Sequence, residues 1–114
     1  MQNDQRPSRN RRAVLRIACG IDVIVEFDRG SQMRCRTIDI SISGAQLRFK
    51  DPPYRRDESL DKLIIPGAGI FSITKRWADG YRVGVRFSGP EEEMRLLSDL
   101  VEYLEKMRQD RAEG

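Results

Sequence analysis

The sequence contains no histidine. Histidine is the commonest general base, proton switch and metal ligand near neutral pH, so its absence excludes histidine-based catalytic triads and zinc-protease sites. Only two cysteines are present, Cys19 and Cys35, too few for a disulfide framework or for a four-ligand zinc site without histidine. No nucleophile with a neighbouring base and no cluster of metal ligands can be recognised. The sequence therefore predicts a protein that is not an enzyme and holds neither a metal nor a cofactor.

Long hydrophobic runs are also missing. The apolar stretch at residues 63–71 is interrupted by a proline and two glycines, and it is far shorter than the roughly 20 residues of a membrane span. Near the N-terminus, Arg16 and Asp22 interrupt the apolar residues before they could form the core of a secretory signal. We therefore expect a soluble cytoplasmic protein that does not insert into a membrane.

The length of 114 residues suits a single domain. The net charge is only +3, a field too weak to imply binding to long nucleic acid by itself. Positive charge is concentrated at the N-terminus, where residues 1–16 hold five arginines and one acid, a local charge of +4. Such a run is typical of a solvated tail. We predict a flexible basic leader over residues 1–10 and one folded domain over residues 11–111.

Six short segments alternate between apolar and other residues, which is the period of half-buried strands. In the last of them, Val83 and Val85 alternate with Arg82, Gly84 and Arg86. The segments cover residues 17–27, 33–40, 45–49, 60–65, 70–77 and 81–87. Antiparallel strands with one apolar face each bury those faces most simply, at this length, by closing into a barrel, which also removes exposed edges. The predicted fold is all-β, a six-stranded antiparallel barrel followed by a helix.

The first two segments are joined by a turn that contains Arg29-Gly30. As a two-residue hairpin turn, this pair would place Cys35 opposite Ile24. Cys19 would then lie about five residues, or roughly 16 Å, from Cys35 along the ladder, beyond the reach of a disulfide. We therefore predict that both cysteines are unpaired and fill space in the core.

The hydrophobic period changes after the last strand, where apolar residues recur at the spacing of a helix. A proline and three glutamates, Glu91, Glu92 and Glu93, favour a helix start here, because acids complement the positive end of the helix dipole. The helix is predicted at about residues 90–108. Its apolar arc is broad enough to cover the end of the barrel and leave a remainder, which includes Leu96, Leu100 and Met107. A partner or a dimer interface could use this remainder, but packing onto the barrel is the expected use.

Two local patterns carry the functional signal. The first is Arg12 and Arg16, four residues apart at the entry to the first strand, with Arg11 directly before them. The second is the sequence Asp39-Ile40-Ser41-Ile42-Ser43-Gly44 between the second and third strands. Taken singly, the first suits a solvated tail and the second an ordinary turn held by side-chain hydrogen bonds.

Together, in this order and at these places, the two patterns resemble the PilZ domain, the bacterial receptor for the second messenger cyclic di-GMP. In that family an R-x-x-x-R motif lies just before the first strand, and a [D/N]-x-S-x-x-G motif joins the second and third strands. The resemblance extends to a six-stranded barrel, to Trp77 near the end of the fifth strand and to a C-terminal helix. It covers residues 11–107 and implies a cytoplasmic domain that binds cyclic di-GMP.

The residues that the resemblance assigns to the ligand are Arg12, Arg16, Asp39, Ser41 and Gly44, with Arg11 as a further candidate that could address a second, stacked nucleotide. Guanidinium groups can fork onto phosphate oxygens, pair with guanine and stack on a purine. A carboxylate can accept the N–H groups of a guanine edge, and a serine can donate or accept. The glycine is expected to take a positive φ, so that backbone can approach the ligand. Trp77 is expected to pack on the barrel and is assigned no ligand contact.

The resemblance implies a receptor without an output domain, which passes its signal to an unidentified partner protein when the arginine segment becomes ordered against the barrel. Motility, exopolysaccharide or attachment would be the processes controlled. One alternative is a PilZ-like interaction module that does not bind the nucleotide. A less favoured one is a small nucleic-acid-binding barrel, for which only 7% of residues are aromatic and able to stack bases. The expected state is a monomer or weak homodimer.

Overall fold

Seven strands and one helix form the described part of the chain, residues 16–51 and 58–113 of a computed structural model. The strands are β1 (Ile17–Ala18), β2 (Asp22–Phe27), β3 (Gln32–Ile40), β4 (Gly44–Phe49), β5 (Leu60–Ile65), β6 (Gly69–Asp79) and β7 (Arg82–Phe87), and the helix is α1 (Glu91–Glu113).

Strands β2 to β7 close into an antiparallel barrel. Around the barrel the order is β3, β2, β5, β6, β7, β4, and β4 pairs with β3 to complete the ring. The short strand β1 pairs with the C-terminal end of β3, on the same side of β3 as β2. The six-stranded barrel that the alternating pattern predicts is therefore confirmed, with one additional short strand.

Alternation decides which side chains fill the barrel. In β2, Val23, Val25 and Phe27 are buried, whereas Asp22 faces solvent. Removing one such apolar side chain from water contributes about 1.5–3 kcal/mol, so the row of inward positions on every strand holds the barrel together. The rings of Phe71 and Phe87 meet edge to face inside, with centroids 5.9 Å apart.

The predicted first strand is divided in two. Pairing stops after Ala18 and resumes at Asp22. The buried hydroxyl of Thr37 holds the interruption: it donates to the carbonyl of Cys19 at 2.5 Å and accepts from the amide of Ile21 at 3.0 Å. The Thr37 side chain here takes the place of hydrogen bonds between backbone groups of the ladder. An alternation of apolar and polar residues cannot reveal such a side-chain bond.

The prediction of a two-residue turn at Arg29-Gly30 is wrong. The amide of Gly30 donates to the carbonyl of Phe27, and the amide of Phe27 donates to the carbonyl of Ser31. The loop therefore has three residues and ends on Gly30 at a φ of 98°, the left-handed position that such loops require. The additional loop residue shifts the register by one, so Cys35 lies opposite Val23 rather than Ile24.

Helix α1 lies against the barrel through its buried residues Leu97 and Val101. Near its first turn, the Glu93 carboxylate accepts from the backbone amide of Ser72 on β6 at 2.7 Å and so ties the helix to that strand. The helix runs five residues beyond the predicted end, because the segment after residue 108 contains no glycine or proline before Gly114. In the described part of the chain, no helix has the length and apolar character to span a membrane.

Candidate functional site

Two of the predicted site residues meet where β1 pairs with β3. Ala18 lies opposite Asp39 and Ile17 opposite Ile40, so the residue just before β1 reaches the end of β3. This residue is Arg16, whose Nη1 atom lies 3.1 Å from Oδ1 of Asp39. Residues 23 positions apart in the sequence are thus brought into one ion pair.

The Asp39 carboxylate is held from two sides. Oδ1 accepts from Arg16, and Oδ2 accepts from the side-chain amide of Gln46 at 2.8 Å. Gln46 stands directly opposite Asp39 on β4. The Asp39 side chain is only 14% exposed, but each carboxylate oxygen has two lone-pair sites. The carboxylate is therefore oriented before any ligand arrives and retains capacity for further donors.

Ser41 is fully buried and builds the turn after β3. Its hydroxyl oxygen accepts from the amides of Ser43 and Gly44, both at 3.2 Å, and its own amide donates to the carbonyl of Gly44 at 2.8 Å. These bonds are typical of a serine that fixes a turn. Ser41 sets the path of the chain between Asp39 and β4.

Gly44 does not have the expected positive φ. Among the described glycines, the positive values belong to Gly30, Gly67, Gly69 and Gly80. What Gly44 provides is space, because a Cβ atom there would overlap the backbone carbonyl oxygen of Val85. The glycine is needed for the close approach of β4 to β7 rather than for an unusual turn.

A transverse row of outward-facing residues continues from Asp39 across the barrel. Asp39 faces Gln46, Gln46 faces Gly84 on β7, and Gly84 faces Trp77 on β6. The Trp77 indole lies over Gly84, since a Cβ atom on Gly84 would overlap it, and the side chain is 40% exposed. Trp77 thus packs on the outside of the barrel and leaves an aromatic surface in line with the carboxylate.

Arginines flank this row on the same outer face. On one side Arg86 pairs with Gly44, and on the other Arg36, Arg48 and Arg82 lie opposite one another on three adjacent strands. Like charges directly opposite repel each other, and part of that cost is offset because Arg36 pairs with Asp22 at 3.4 Å and Arg82 with Asp79 at 3.8 Å. Sequence reasoning missed both Gln46 and these arginines, although their alternation with buried residues of β4 and β7 is a signal for one outward face.

The two cysteines are not part of the candidate site. Burial raises the pKa of the Cys35 thiol to about 12, and burial is also the main cause that raises the pKa of Cys19. Both side chains are unpaired, as predicted. Among the side chains described in residues 16–51 and 58–109, no three acidic or cysteine side chains come together as metal ligands. Arg11 and Arg12 lie outside the described residues.

Comparison with known proteins gives one family. The model of the PilZ domain family matches residues 9–106. Among curated proteins, none matches significantly.

Solved structures share the fold. The PilZ domain of CeSA from a cellulose-synthesizing bacterium superposes with a TM-score of 0.63 at 20% identity, covering 80% of this chain and 98% of that one. The PilZ domain of YcgR from Escherichia coli, solved with cyclic di-GMP, gives a TM-score of 0.64 at 20% identity, with coverages of 88% and 95%. MrkH, described as a cyclic di-GMP-dependent transcription regulatory factor, gives 0.58 at 15% identity, with coverages of 78% and 48%.

Proposed function

The chain belongs to the PilZ domain family, and on that premise we propose that it is a receptor for cyclic di-GMP, a nucleotide present in the similar YcgR structure. One observation carries the proposal: Arg16 and Asp39, one from each family motif, form a single ion pair on the outer face of the barrel. The pair joins a group that binds phosphate to a group that binds the edge of guanine.

The outer face supplies complementary chemistry for each part of the ligand. Arg16 binds a phosphate or stacks on a guanine, and the Asp39 carboxylate accepts from the N1–H and N2–H groups of that base. Gln46 keeps the carboxylate in orientation. The indole of Trp77 offers a flat apolar surface at the far end of the row. Ser41 and Gly44 contribute by fixing the turn and the strand spacing beneath the ligand.

Arg12 adds a second guanidinium to the site, and Arg11 adds a third that addresses a second, stacked nucleotide. We place these residues at the start of the barrel domain, residues 11–111, after a flexible basic leader of residues 1–10. Binding orders the arginine segment over the ligand, and the entropy cost of ordering is met at that moment.

The response passes to a partner protein. A domain that only binds a nucleotide transmits by exposing or covering a surface, and the ligand shifts that equilibrium only as far as its affinities for the two states differ. The chain acts in this proposal as a cytoplasmic binding module in the control of motility, exopolysaccharide or attachment, and not as an enzyme.

Isothermal titration of the full chain with cyclic di-GMP tests the proposal. GTP and cyclic di-AMP serve as ligand controls, and the R12A/R16A double variant is expected to lose binding. Arg16→Lys keeps the charge but loses the planar fork, so it should also bind more weakly. Arg95→Ala removes an exposed helix charge and should bind like the wild type.

Saturable binding that is selective for guanine and lost in the double variant supports the receptor. A stoichiometry of two nucleotides per chain supports the role of Arg11, and a stoichiometry of one removes it. If neither heat nor a thermal shift is observed at high ligand concentration, the receptor proposal fails and a PilZ-like interaction module remains.

A further inference from the structure

Helix α1 leaves an apolar stripe uncovered beside the face that packs on the barrel. Leu96, Tyr103 and Met107 are 49%, 59% and 42% exposed, and Leu100 between them is half-buried. These four residues follow spacings of four, three and four, which is the heptad seam of two paired helices. We call Leu96, Leu100, Tyr103 and Met107 the helix stripe.

The helix stripe borders a groove. The β5–β6 turn forms the opposite wall, with Pro66 and Ala68 facing Leu96, Leu100 and Tyr103 across it. Apolar side chains on both walls would leave water when another helix filled the space. The groove is separate from the row formed by Asp39, Gln46, Gly84 and Trp77, since its walls come from α1 and the β5–β6 turn.

We propose that the helix stripe binds the helix stripe of a second copy of this chain, with the two helices antiparallel around a two-fold axis. In this arrangement Leu96 packs against the partner's Met107, and Leu100 packs against the partner's Tyr103. A two-fold axis repeats each contact, so four apolar layers form from one stripe per chain. The two-fold axis passes at the level of Val101 and Glu102.

The flanking charges select this partner and this orientation. Asp99 and Lys106 lie seven residues apart on the solvent side of the helix stripe, and among the side chains described in residues 16–51 and 58–109 neither has an ion-pair partner. In the antiparallel pair, Asp99 faces the partner's Lys106 and Lys106 faces the partner's Asp99. In a parallel pair, Asp99 would face the partner's Leu104, so neither end of the interface would hold this ion pair. The charges therefore fit a second copy in the antiparallel orientation only.

The position of the barrel is compatible with this pairing. The side chains that α1 packs against the barrel run from Met94 to Leu104, so the middle of that contact lies on the N-terminal side of the two-fold axis at Val101 and Glu102. The two barrels are therefore displaced from each other along the paired helices. An interface of four layers is small, so the dimer is a weak one that forms at high protein concentration.

Sedimentation equilibrium of the full chain over a concentration series, without nucleotide, tests the proposal. The wild type is expected to move from 13.2 kDa toward about twice that mass as concentration rises. Asp99→Lys and Lys106→Asp should each shift association to higher concentration, because each places like charges across both ends of the interface. Both positions lie on the exposed side of the helix.

Mixing the two single variants gives the sharpest result. One variant then carries two lysines at these positions and the other two aspartates, so a mixed dimer has both ion pairs restored and should form at lower concentration than either variant alone. The double variant D99K/K106D should associate like the wild type. Tyr103→Glu, which buries a charge in the central layers, should remain monomeric.

Three outcomes would overturn the proposal: a wild-type chain that stays monomeric at millimolar concentration, a dimer that Tyr103→Glu does not weaken, or a mixture that associates no better than its components. Circular dichroism of each variant establishes that it is folded. Because no nucleotide is present, the result is independent of whether the chain binds cyclic di-GMP.

Discussion

Two glycines near the site matter for the space that they leave. Gly44 allows β4 to approach the backbone of β7, and Gly84 allows the Trp77 indole to lie flat on the barrel. Neither has a positive φ, so both are required for packing and not for backbone conformation. The shape of the outer face therefore depends on the absence of two side chains.

Gly44→Ala is expected to lower the free energy of unfolding by about 2–3 kcal/mol, because the new methyl group meets a backbone carbonyl that cannot rotate away. Gly30→Ala is the matched control. It strains a positive φ but meets no neighbouring atom, so its cost should be about 1 kcal/mol. Urea denaturation of both variants measures the difference, and an equal cost would show that the close approach at Gly44 is easily relieved.

The buried thiol of Cys35 predicts a lower free energy of unfolding at alkaline pH. Its pKa is raised to about 12 by burial, above the ordinary value of 9.0 for a thiol. Between these two values the unfolded chain loses the thiol proton while the folded chain keeps it, so stability falls as pH rises through this range. At pH 10.5 this loss amounts to about 2 kcal/mol for one group.

Cys35→Val removes the titrating group and keeps an apolar side chain of similar size. Its free energy of unfolding should therefore decline less than that of the wild type when urea denaturation is repeated at pH 8 and pH 10.5. Cys19→Ser controls for the other thiol. Parallel declines in wild type and C35V would contradict a buried, protonated thiol.

At the scale of single residues, the sequence indicated which side chains matter but not how they act. The motif spacing pointed to Arg16 and Asp39, and the structure brings both together. The turn-building role of Ser41 was foreseen only as the ordinary interpretation of its motif. Gln46 was not predicted, because its contact with Asp39 depends on the register of β3 against β4, which shifts between Thr37 and Asp39 and which no local pattern specifies.

Among the elements, the junction of β1 and β2 has the greatest consequence for the site. β1 is two residues long, and its pairing with β3 brings Arg16 to Asp39. Thr37 closes the gap between β1 and β2 by bonding to Cys19 and Ile21. A single buried hydroxyl thus contributes to the position of Arg16.

Thr37→Val keeps the shape of the side chain but leaves the amide of Ile21 and the carbonyl of Cys19 without this partner. We expect a loss of about 1–3 kcal/mol in the free energy of unfolding and faster hydrogen exchange at the Ile21 amide. Thr37→Ser keeps the hydroxyl and should preserve the slow exchange. Unchanged exchange in T37V would show that the strand junction is held by other contacts.

The elements were predicted better than their junctions. Alternation identified the strands that close the barrel, because every one of them has a buried face. The division of the first strand and the three-residue loop at Gly30 escaped prediction, since each depends on a hydrogen bond to a distant or unexpected partner. The helix was located by its period, but its C-terminal end has no stop signal before Gly114.

For the molecule as a whole, the distribution of charge on the outer face is more informative than the net charge. The net charge is only +3, yet Arg36, Arg48, Arg82 and Arg86 lie on the outer face next to Asp39 and Trp77. The phenylalanines at 27, 49 and 87 are buried in the core and unable to stack on bases. Trp77, Tyr81 and Tyr103 are the exposed aromatic side chains among the described residues. A long nucleic acid would require more stacking surface than this.

The dependence of binding on salt concentration distinguishes cyclic di-GMP from a nucleic acid as the ligand of the outer-face arginines. Cyclic di-GMP has two phosphate charges and no condensed counterion atmosphere, so raising salt from about 50 to 200 mM should weaken its binding only a few-fold. A protein that tracks a single strand through six or more phosphates loses about 300-fold or more over the same range. Titrations of the full chain with cyclic di-GMP and with a single-stranded oligonucleotide, each at both salt concentrations, measure the two slopes. Tight oligonucleotide binding with the steep slope would assign the arginines to nucleic acid, whereas a shallow slope for cyclic di-GMP and no measurable oligonucleotide binding at 200 mM would assign them to the dinucleotide.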